Sequence, residues 1–136
     1  LWLSLWSRAP CNYLSMKIST IQIVRGSEQR LVCSIDKVER TETIFERMRG
    51  LLGATGLAPN RGLWINSCNS IHSFFMAFSI DVVYLDKNNT VLRIIKDMRP
   101  WRVNACWSAQ SVIELGQGQV DLLGIQPGDN VNCLSS

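Results

Sequence analysis

His72 is the only histidine of the chain and its best candidate for acid–base chemistry, and it lies in the aromatic stretch CNSIHSFFMAFSIDVVYLD. An imidazole changes protonation near neutral pH, and a carboxylate that orients it would complete a catalytic couple. Asp81 could be that carboxylate if the chain turns back between them. His72 would then pair with Val83 and lie diagonal to Asp81, roughly 7 Å apart along the backbone. One hypothesis is therefore a small hydrolase or isomerase that uses His72 and Asp81, with Glu114 as a further acid.

Other chemistry around His72 is less favoured by the spacing. Cys68 could act with His72 as a nucleophile or as a second metal ligand on a helix, but the segment is extended, which separates the two residues by roughly 13 Å. Two ligands also fall short of a metal site, so neither a metal nor a cofactor is predicted. Ser70 and Ser73 lack a GxSxG-type framework. We favour a structural role, in which His72 and Asp81 satisfy backbone groups where strands meet a turn.

A second set of side chains is suited to binding. Arg99-Pro100-Trp101-Arg102, followed by Trp107, places two indoles and basic groups on one connection, where they could stack a sugar or a base. Arg47 and Arg49 are predicted on the outward face of a helix and could form an anion site. Glu114 interrupts an apolar strand, where it could form a partly buried ion pair with Arg47, Arg49 or Arg93. The same arrangement could mark an anion-binding rim or a general acid. The predicted ligand-binding residues are Arg47, Arg49, Trp101, Arg102 and Trp107.

Length and composition indicate one folded domain. The chain has 136 residues, of which 46% are hydrophobic and 18% are charged, values typical of a globular protein. Its net charge of +3 comes from scattered arginines, so a nucleic-acid partner is not predicted. Five cysteines without a CxxC pair indicate buried thiols in a reducing compartment, which favours a cytoplasmic location.

The first fifteen residues, LWLSLWSRAPCNYLS, differ from the rest of the chain. They are too short to span a bilayer and lack the basic region and cleavage site of a signal peptide, so no integral membrane segment is predicted. We interpret residues 1–15 as an extension outside the domain, which then covers residues 16–136. The alternative is the remnant of a targeting segment, which would imply export.

Hydrophobic periodicity predicts mostly strands. KISTIQIV and RLVCSI predict a first hairpin, and LWI, SVIEL and NVNCL predict further short strands. A helix is predicted from Thr43. One face of it carries the apolar residues Ile44, Phe45, Met48, Leu51 and Leu52. Thr43 and Glu46 form a capping box at its start, and Gly53 can end it. GQGQVDLLG predicts a helical turn, and Pro127-Gly128 a type II turn.

The turn DKNNT predicts a hairpin whose two faces are both largely apolar. In the predicted register Leu85 is opposite Thr90, and Val83 is opposite Leu92. A hairpin that is apolar on both faces must be covered on both, by helices or by a sheet that curls. The predicted fold is therefore α+β and strand-rich, with a curled or barrel-like, mostly antiparallel sheet and one or two short helices.

Four segments in order, RGLL, IHSFFMAFSIDVVYLDKNNTV, VIELGQG and GDNV, resemble the bacterial and archaeal family named domain of unknown function 192. The matching positions are Met76, Asp81, the Asp86 turn, Glu114-Leu115 with Gly118, and Gly128-Asp129. Phe78-Ser79 departs from the polar pair that many members carry there. The resemblance implies a small, compact, strand-rich domain and no established reaction or ligand.

These observations favour a non-catalytic binding or accessory module over an enzyme. Its predicted ligand surface combines the connection that carries Trp101 and Trp107 with arginines, and its predicted partner is a small molecule or a protein. The alternatives are the enzyme that uses His72 and Asp81 and a purely structural protein-interaction domain. A monomer is predicted.

Overall fold

A computed structural model of the chain describes residues 17–41, 56–74 and 76–134. Strands dominate this part of the chain, and one short helix precedes the last strand. The elements are β1 (Lys17–Arg25), β2 (Arg30–Thr41), β3 (Arg61–Asn66), β4 (Ser70–His72), β5 (Ile80–Leu85), β6 (Val91–Met98), β7 (Val103–Ala105), β8 (Ser111–Gly116), α1 (Gln119–Leu123) and β9 (Asn130–Leu134). The predicted strand-rich α+β fold is thereby confirmed.

Seven strands form one curled sheet in the order β6-β5-β8-β3-β2-β1-β9, while β4 and β7 pair separately as a two-stranded ribbon. Every pairing is antiparallel except that of β2 with β3. The edge strands β6 and β9 approach at a bridge between Thr90 and Asn130. Among the described strands the sheet is curled but is not closed into a barrel.

Several predicted features lie outside the described residues. The extension at residues 1–15 and the helix that begins at Thr43 both do so, and with the helix go Arg47 and Arg49. The first hairpin, the helical turn that forms α1 and the final strand β9 are confirmed. Gly128, with φ of 91°, adopts the left-handed conformation that the predicted type II turn requires at its third position.

The predicted register of the second hairpin is wrong. Val83 pairs with Ile94 and not with Leu92, a difference of two residues. One arises at the turn, where Leu85 pairs with Val91 and not with Thr90, and the other is an extra residue between the pairs Tyr84↔Arg93 and Leu85↔Val91. The extra residue is Leu92, which is 37% exposed. A bulge of this kind cannot be inferred from a strict alternation of apolar and polar residues.

The central strands of the seven-stranded sheet are buried on both faces. The prediction that both faces of the second hairpin are covered is right for β5 but wrong for the edge strand β6, in which Leu92, Arg93, Lys96 and Asp97 are exposed. Every residue of β5 and of β8 is buried, so alternate side chains of each strand enter two different cores. The first core lies inside the curl of the sheet and includes Ile21, Ile35, Val38, Trp64, Val83 and Ile113. The second core lies on the opposite face, where Ile71 of the β4–β7 ribbon packs with Leu63, Ile80, Val82, Tyr84 and Val112.

Asp81 fixes the junction between β5, β6 and α1. Its side chain is 1% exposed, and its two carboxylate oxygens accept hydrogen bonds from the backbone N–H groups of Asp97 and Val120, each at 3.0 Å. Asp97 has a φ of 54° and lies where the β5–β6 register shifts, so its N–H is turned out of the ladder. Val120 is in the first turn of α1, whose N-cap residue Gly118 provides no side-chain cap. The carboxylate therefore replaces both a ladder bond and a helix cap.

A second buried carboxylate fastens β9 to the body of the sheet. Asp129 accepts hydrogen bonds from Arg25 at 2.7 and 2.9 Å and from the backbone N–H of Gln126 at 2.8 Å. Burial alone would raise the pKa of Asp129, but these hydrogen bonds outweigh it and hold the pKa below its usual value. The ion pair thus contributes stability at neutral pH that is lost when acid protonates Asp129.

No helix within the described ranges is long and apolar enough to cross a membrane.

We expect Asp81→Ala to destabilise the fold by roughly 2–4 kcal/mol, because it leaves two buried backbone N–H groups without an acceptor. Urea unfolding followed by far-UV circular dichroism measures the loss. Asp121→Asn is the control, since Asp121 is 69% exposed and pairs with Lys96 at the surface, where ion pairs contribute little. Equal midpoints for the two variants would show that Asp81 does not hold the junction.

Candidate functional site

The β4–β7 ribbon has one side directed into the second core and one directed outward. Ser70 pairs with Ala105, Ile71 with Asn104, and His72 with Val103. Ile71 is only 2% exposed and faces inward, whereas Val103 is 65% exposed. Because paired residues share a face of a ribbon, Ser70, His72, Val103 and Ala105 lie on the outward side.

Tyr84 anchors the inward side of the ribbon to the main sheet. Its hydroxyl donates a hydrogen bond to the side-chain oxygen of Asn104 at 3.0 Å. Burial, and then the neighbouring thiols of Cys68 and Cys106, raise the pKa of Tyr84 to about 12, so the phenol keeps its proton and acts as a donor. The ribbon is therefore fixed over the second core by a hydrogen bond as well as by apolar packing.

Ser73, directly after β4, fixes the connection that leads into β7. It is fully buried, and its hydroxyl donates to the carbonyl oxygen of Arg99 at 2.6 Å and accepts from the N–H of Arg102 at 2.9 Å. Its own backbone N–H donates to the carbonyl of Arg102, and its carbonyl accepts from the N–H of Trp101, both at 2.9 Å. A single residue thus holds the Arg99–Arg102 turn through both its side chain and its backbone.

Trp101 adopts a conformation that is uncommon for a bulky residue. Its φ is 62°, in the left-handed region, and its side chain is 56% exposed. The indole lies against Phe74, with ring centroids 5.8 Å apart, and Phe74 is stacked on His72 at 5.0 Å. Ser73 therefore imposes a backbone geometry that presents Trp101 in line with two other rings.

Exposed apolar surface also occurs just beyond β7, at Trp107. Trp101, Val103, Ala105 and Trp107 occupy alternate positions, and Trp107 follows Cys106 in a turn closed by the N–H of Ala109. Trp107 is 79% exposed, the largest exposure among the described large hydrophobic residues. We call this surface the aromatic ribbon face and define it by His72, Phe74, Trp101, Val103 and Trp107.

Positive charge borders the aromatic ribbon face. Arg93, Arg99 and Arg102 are exposed, and Arg93 donates to the carbonyl of Ala105 in β7 at 3.4 Å. No aspartate or glutamate occurs in the sequence at residues 67–80 or at residues 98–113, which include both strands of the ribbon. The surface is therefore apolar and cationic.

The structure brings some predicted site residues together and separates others. His72 and Trp101 meet through Phe74, and Arg102 adjoins Trp101. The predicted pairing of His72 with Val83 is wrong: His72 pairs with Val103 in the ribbon, and Asp81 belongs to the main sheet. His72 and Asp81 are therefore not neighbours on adjacent strands. In addition, both carboxylate oxygens of Asp81 already accept hydrogen bonds from backbone N–H groups.

Glu114 is fully buried in β8, beneath the ribbon. It pairs with Leu63 and Val82, whose side chains belong to the second core, and its charge contributes to the raised pKa of Tyr84. The side chain therefore faces the space between the main sheet and the ribbon. Of the three arginines predicted as partners for a partly buried ion pair, Arg47 and Arg49 lie outside the described part of the chain, and Arg93 is exposed on β6, where it donates to the carbonyl of Ala105.

Ser73, Phe74 and Val103 were not predicted as site residues. Ser73 and Phe74 follow β4 directly, and their role depends on a ribbon that pairs residues about thirty positions apart, a separation that local periodicity does not detect. A usable signal was present, however. The alternation Trp101-x-Val103-x-Ala105-x-Trp107 is typical of one face of an extended segment.

Metal and thiol chemistry find little support in these side chains. Within residues 17–41, 56–74 and 76–134, no three or more His, Cys, Asp or Glu side chains are grouped to hold a metal ion. Cys33, Cys106 and Cys133 are free thiols. Burial raises the pKa of Cys33, which disfavours its reactive thiolate form.

The fold and the ribbon define a strand-rich domain that recurs in two bacterial crystal structures. A Sinorhizobium meliloti protein described as a candidate transcription regulator superposes with a TM-score of 0.75 at 19% identity, covering 90% of this chain and 98% of that one. A protein of unknown function from Novosphingobium aromaticivorans superposes with a TM-score of 0.71 at 20% identity, covering 91% of each chain. At these identities the likeness concerns the fold.

The chain belongs to the family DUF192, described as uncharacterized ACR, whose model matches residues 23–133. Archaeal proteins named UPF0127 protein are similar in sequence to this chain. That of Thermococcus sibiricus is 35% identical over 105 residues, which cover 71% of this chain and 65% of the relative. That of Pyrococcus abyssi is 39% identical over 67 residues, which cover 48% of this chain and 56% of the relative. The match thus spans less than two thirds of either relative. The predicted family resemblance is confirmed.

We expect Ser73→Ala to lower the free energy of unfolding by roughly 1–3 kcal/mol, because the Arg99–Arg102 turn loses both bonds to the hydroxyl. It should also weaken the near-UV circular dichroism of the tryptophans, since Trp101 loses its fixed environment. Ser70→Ala, at an exposed position of the same ribbon, is the control and should shift stability by less than about 0.5 kcal/mol. The prediction is wrong if both variants keep the wild-type spectrum and midpoint.

Proposed function

We propose that this protein is a non-catalytic binding module and that its ligand surface is the aromatic ribbon face. The observation that carries the proposal is the presentation of Trp101, which is held in a left-handed conformation and yet remains 56% exposed. A left-handed backbone costs a bulky residue about 1–2 kcal/mol. Because the indole is only partly buried, it contributes little stability to offset this cost. Local backbone strain of this kind is typical of functional surfaces.

The extent of the exposed apolar surface supports the same role. Single exposed hydrophobic residues are ordinary, but contiguous ones mark interaction surfaces. Trp101 and Trp107 lie in the turns at the two ends of β7, Val103 lies on the strand between them, and the three are 56%, 79% and 65% exposed, respectively. Tryptophan is also the residue most enriched in the central contacts of binding surfaces.

The polar groups near this surface are arranged for structure rather than for reaction. The Ser73 hydroxyl both donates and accepts within the turn, so it is poorly placed to become a nucleophile. Asp81 serves two backbone N–H groups and lies in the main sheet. The His72 ring stacks on Phe74, within the aromatic row. This arrangement favours binding over the hydrolase or isomerase hypothesis.

The anionic aromatic dye anilinonaphthalenesulfonate is a suitable probe of the surface. We expect the native chain to enhance the dye's fluorescence, because the dye can stack on the indoles and pair with Arg102. Trp101→Ala and Trp107→Ala should each remove most of the enhancement.

Leu122→Ala is the matched control, because Leu122 is 76% exposed on α1, outside the ribbon, and its loss should leave the signal unchanged. Cooperative urea unfolding of each variant excludes dye binding to a partly unfolded state. An enhancement that survives in both tryptophan variants would contradict the proposal.

A further inference from the structure

We infer that the partner of the aromatic ribbon face is an anionic phospholipid membrane, onto which the domain docks from outside. This inference rests on the proposed binding role of the same surface and names its partner. The docking is peripheral: side chains of the ribbon enter the headgroup region, and the ribbon itself does not cross the bilayer.

The first reason is the shape of the surface. Trp101 and Trp107 are exposed in the turns at the two ends of β7, and Val103 is exposed on the strand between them, so the three side chains make a row along the ribbon. Phe74 widens the row on the neighbouring strand through its contact with Trp101. A row of rings and a branched aliphatic side chain on the outside of a ribbon can enter a flat interface together, and tryptophan is favoured at the headgroup level.

The second reason is charge. Arg99 and Arg102 flank Trp101 and are exposed, and Arg93 reaches the carbonyl of Ala105 at the far end of the ribbon. The absence of acidic residues from residues 67–80 and 98–113 means that no side chain of the ribbon or its adjoining turns is repelled by an anionic headgroup. Basic side chains close to an anionic leaflet each add to membrane affinity. Arginine can also lay its aliphatic part along the apolar face while its guanidinium reaches phosphate.

The third reason is that the outward side of the paired strands offers few polar side chains to a soluble polar ligand. On the outward side of the paired strands, the polar side chains are Ser70 and His72. Asn104 accepts its bond from Tyr84 on the inward side, and the Ser73 hydroxyl is used within the turn. A sugar or a small anion requires several directed hydrogen bonds, whereas a membrane interface requires apolar area and positive charge.

Leu122, a strongly exposed apolar residue on α1, provides a contrast to the ribbon. Leu122 on α1 lies next to Asp121, whose carboxylate is 69% exposed. Asp121 is paired with Lys96, and α1 itself carries no basic residue that would attract an anionic membrane, so Leu122 serves as the control for a change in exposed apolar area alone.

Vesicle co-sedimentation of the full chain tests the inference. Vesicles of phosphatidylcholine mixed with an equal amount of phosphatidylglycerol should bind the protein, and vesicles of phosphatidylcholine alone should bind it much more weakly. We expect Trp107→Ala to lower partitioning roughly tenfold through lost apolar contact. Arg102→Gln should lower it about fivefold through lost attraction.

Two variants serve as controls, because each changes an exposed residue away from the ribbon. Leu122→Ala removes apolar area from α1, and Lys87→Gln removes a positive charge from the turn between β5 and β6. Both should partition as the wild type does. Equal losses for Arg102→Gln and Lys87→Gln would overturn the inference, because attraction would then follow net charge rather than this surface.

Further outcomes separate this inference from the proposed function. If the wild type ignores both kinds of vesicle while Trp101→Ala abolishes dye binding, the membrane inference fails and the binding module stands. If vesicles and dye both fail to respond to the ribbon variants, both fail. Soluble glycerol phosphate distinguishes a headgroup pocket from a membrane surface. It should not displace the protein from vesicles, and displacement would overturn membrane docking.

Discussion

The structure depends on one constraint: its central sheet is apolar on both faces and must be covered on both. Every residue of β5 and of β8 is buried, so each strand supplies side chains to two cores. The curl of the sheet covers the first core, and the β4–β7 ribbon contributes to the cover of the second. The carboxylate of Asp81 makes the curl compatible with α1, because it satisfies backbone groups that the bulge and the helix start leave exposed.

The β4–β7 ribbon has an inner and an outer side, and packing against the second core determines only the residues of the inner side. On the inner side, Ile71 packs in the second core and Asn104 accepts the hydrogen bond from the Tyr84 hydroxyl. The outside needs only to tolerate water, yet it carries Val103, Trp101 and Trp107. Ser73 connects the two requirements, since its buried hydroxyl fastens the ribbon and at the same time sets the backbone that displays Trp101. The functional proposal follows from apolar residues that packing does not require.

Sequence periodicity predicted many of the strands because alternation and turn chemistry are local signals, although β1–β2 and β5–β6 are the only hairpins among the seven pairings of the described strands. The first hairpin, the turn at Asp86 and the strands β8 and β9 follow from alternation and turn chemistry. The need to cover both faces followed from counting apolar residues on each. The register of the second hairpin could not be predicted, because neither the turn that places Leu85 opposite Val91 nor the bulge at Leu92 leaves a mark in the pattern.

The ribbon was missed for a different reason. Strands of three residues have too few alternations to be recognised, and β4 pairs with a segment far along the chain. The presumed pairing of His72 with Asp81 followed from that error. By contrast, Trp101, Arg102 and Trp107 were identified from residue type alone, although the order that Ser73 imposes on them was not.

The positions that carry the family resemblance are largely architectural, which explains why the resemblance predicted a fold and not a function. Asp81 caps α1, Asp86 accepts two backbone N–H groups in its turn, and Asp129 binds Arg25. Gly118 and Gly128 occupy left-handed turn positions. None of these side chains belongs to the aromatic ribbon face.

The central claim is that the outward side of the ribbon contributes little to the fold, and the stability of the double variant Val103→Thr, Trp107→Ser tests it most directly. Both residues are mostly exposed, at 65% and 79%. We predict a free energy of unfolding within about 1 kcal/mol of the wild type, the range expected of two surface substitutions. A loss of roughly 3 kcal/mol or more, as when large core side chains are truncated, would show that these residues are part of a core and would contradict the account.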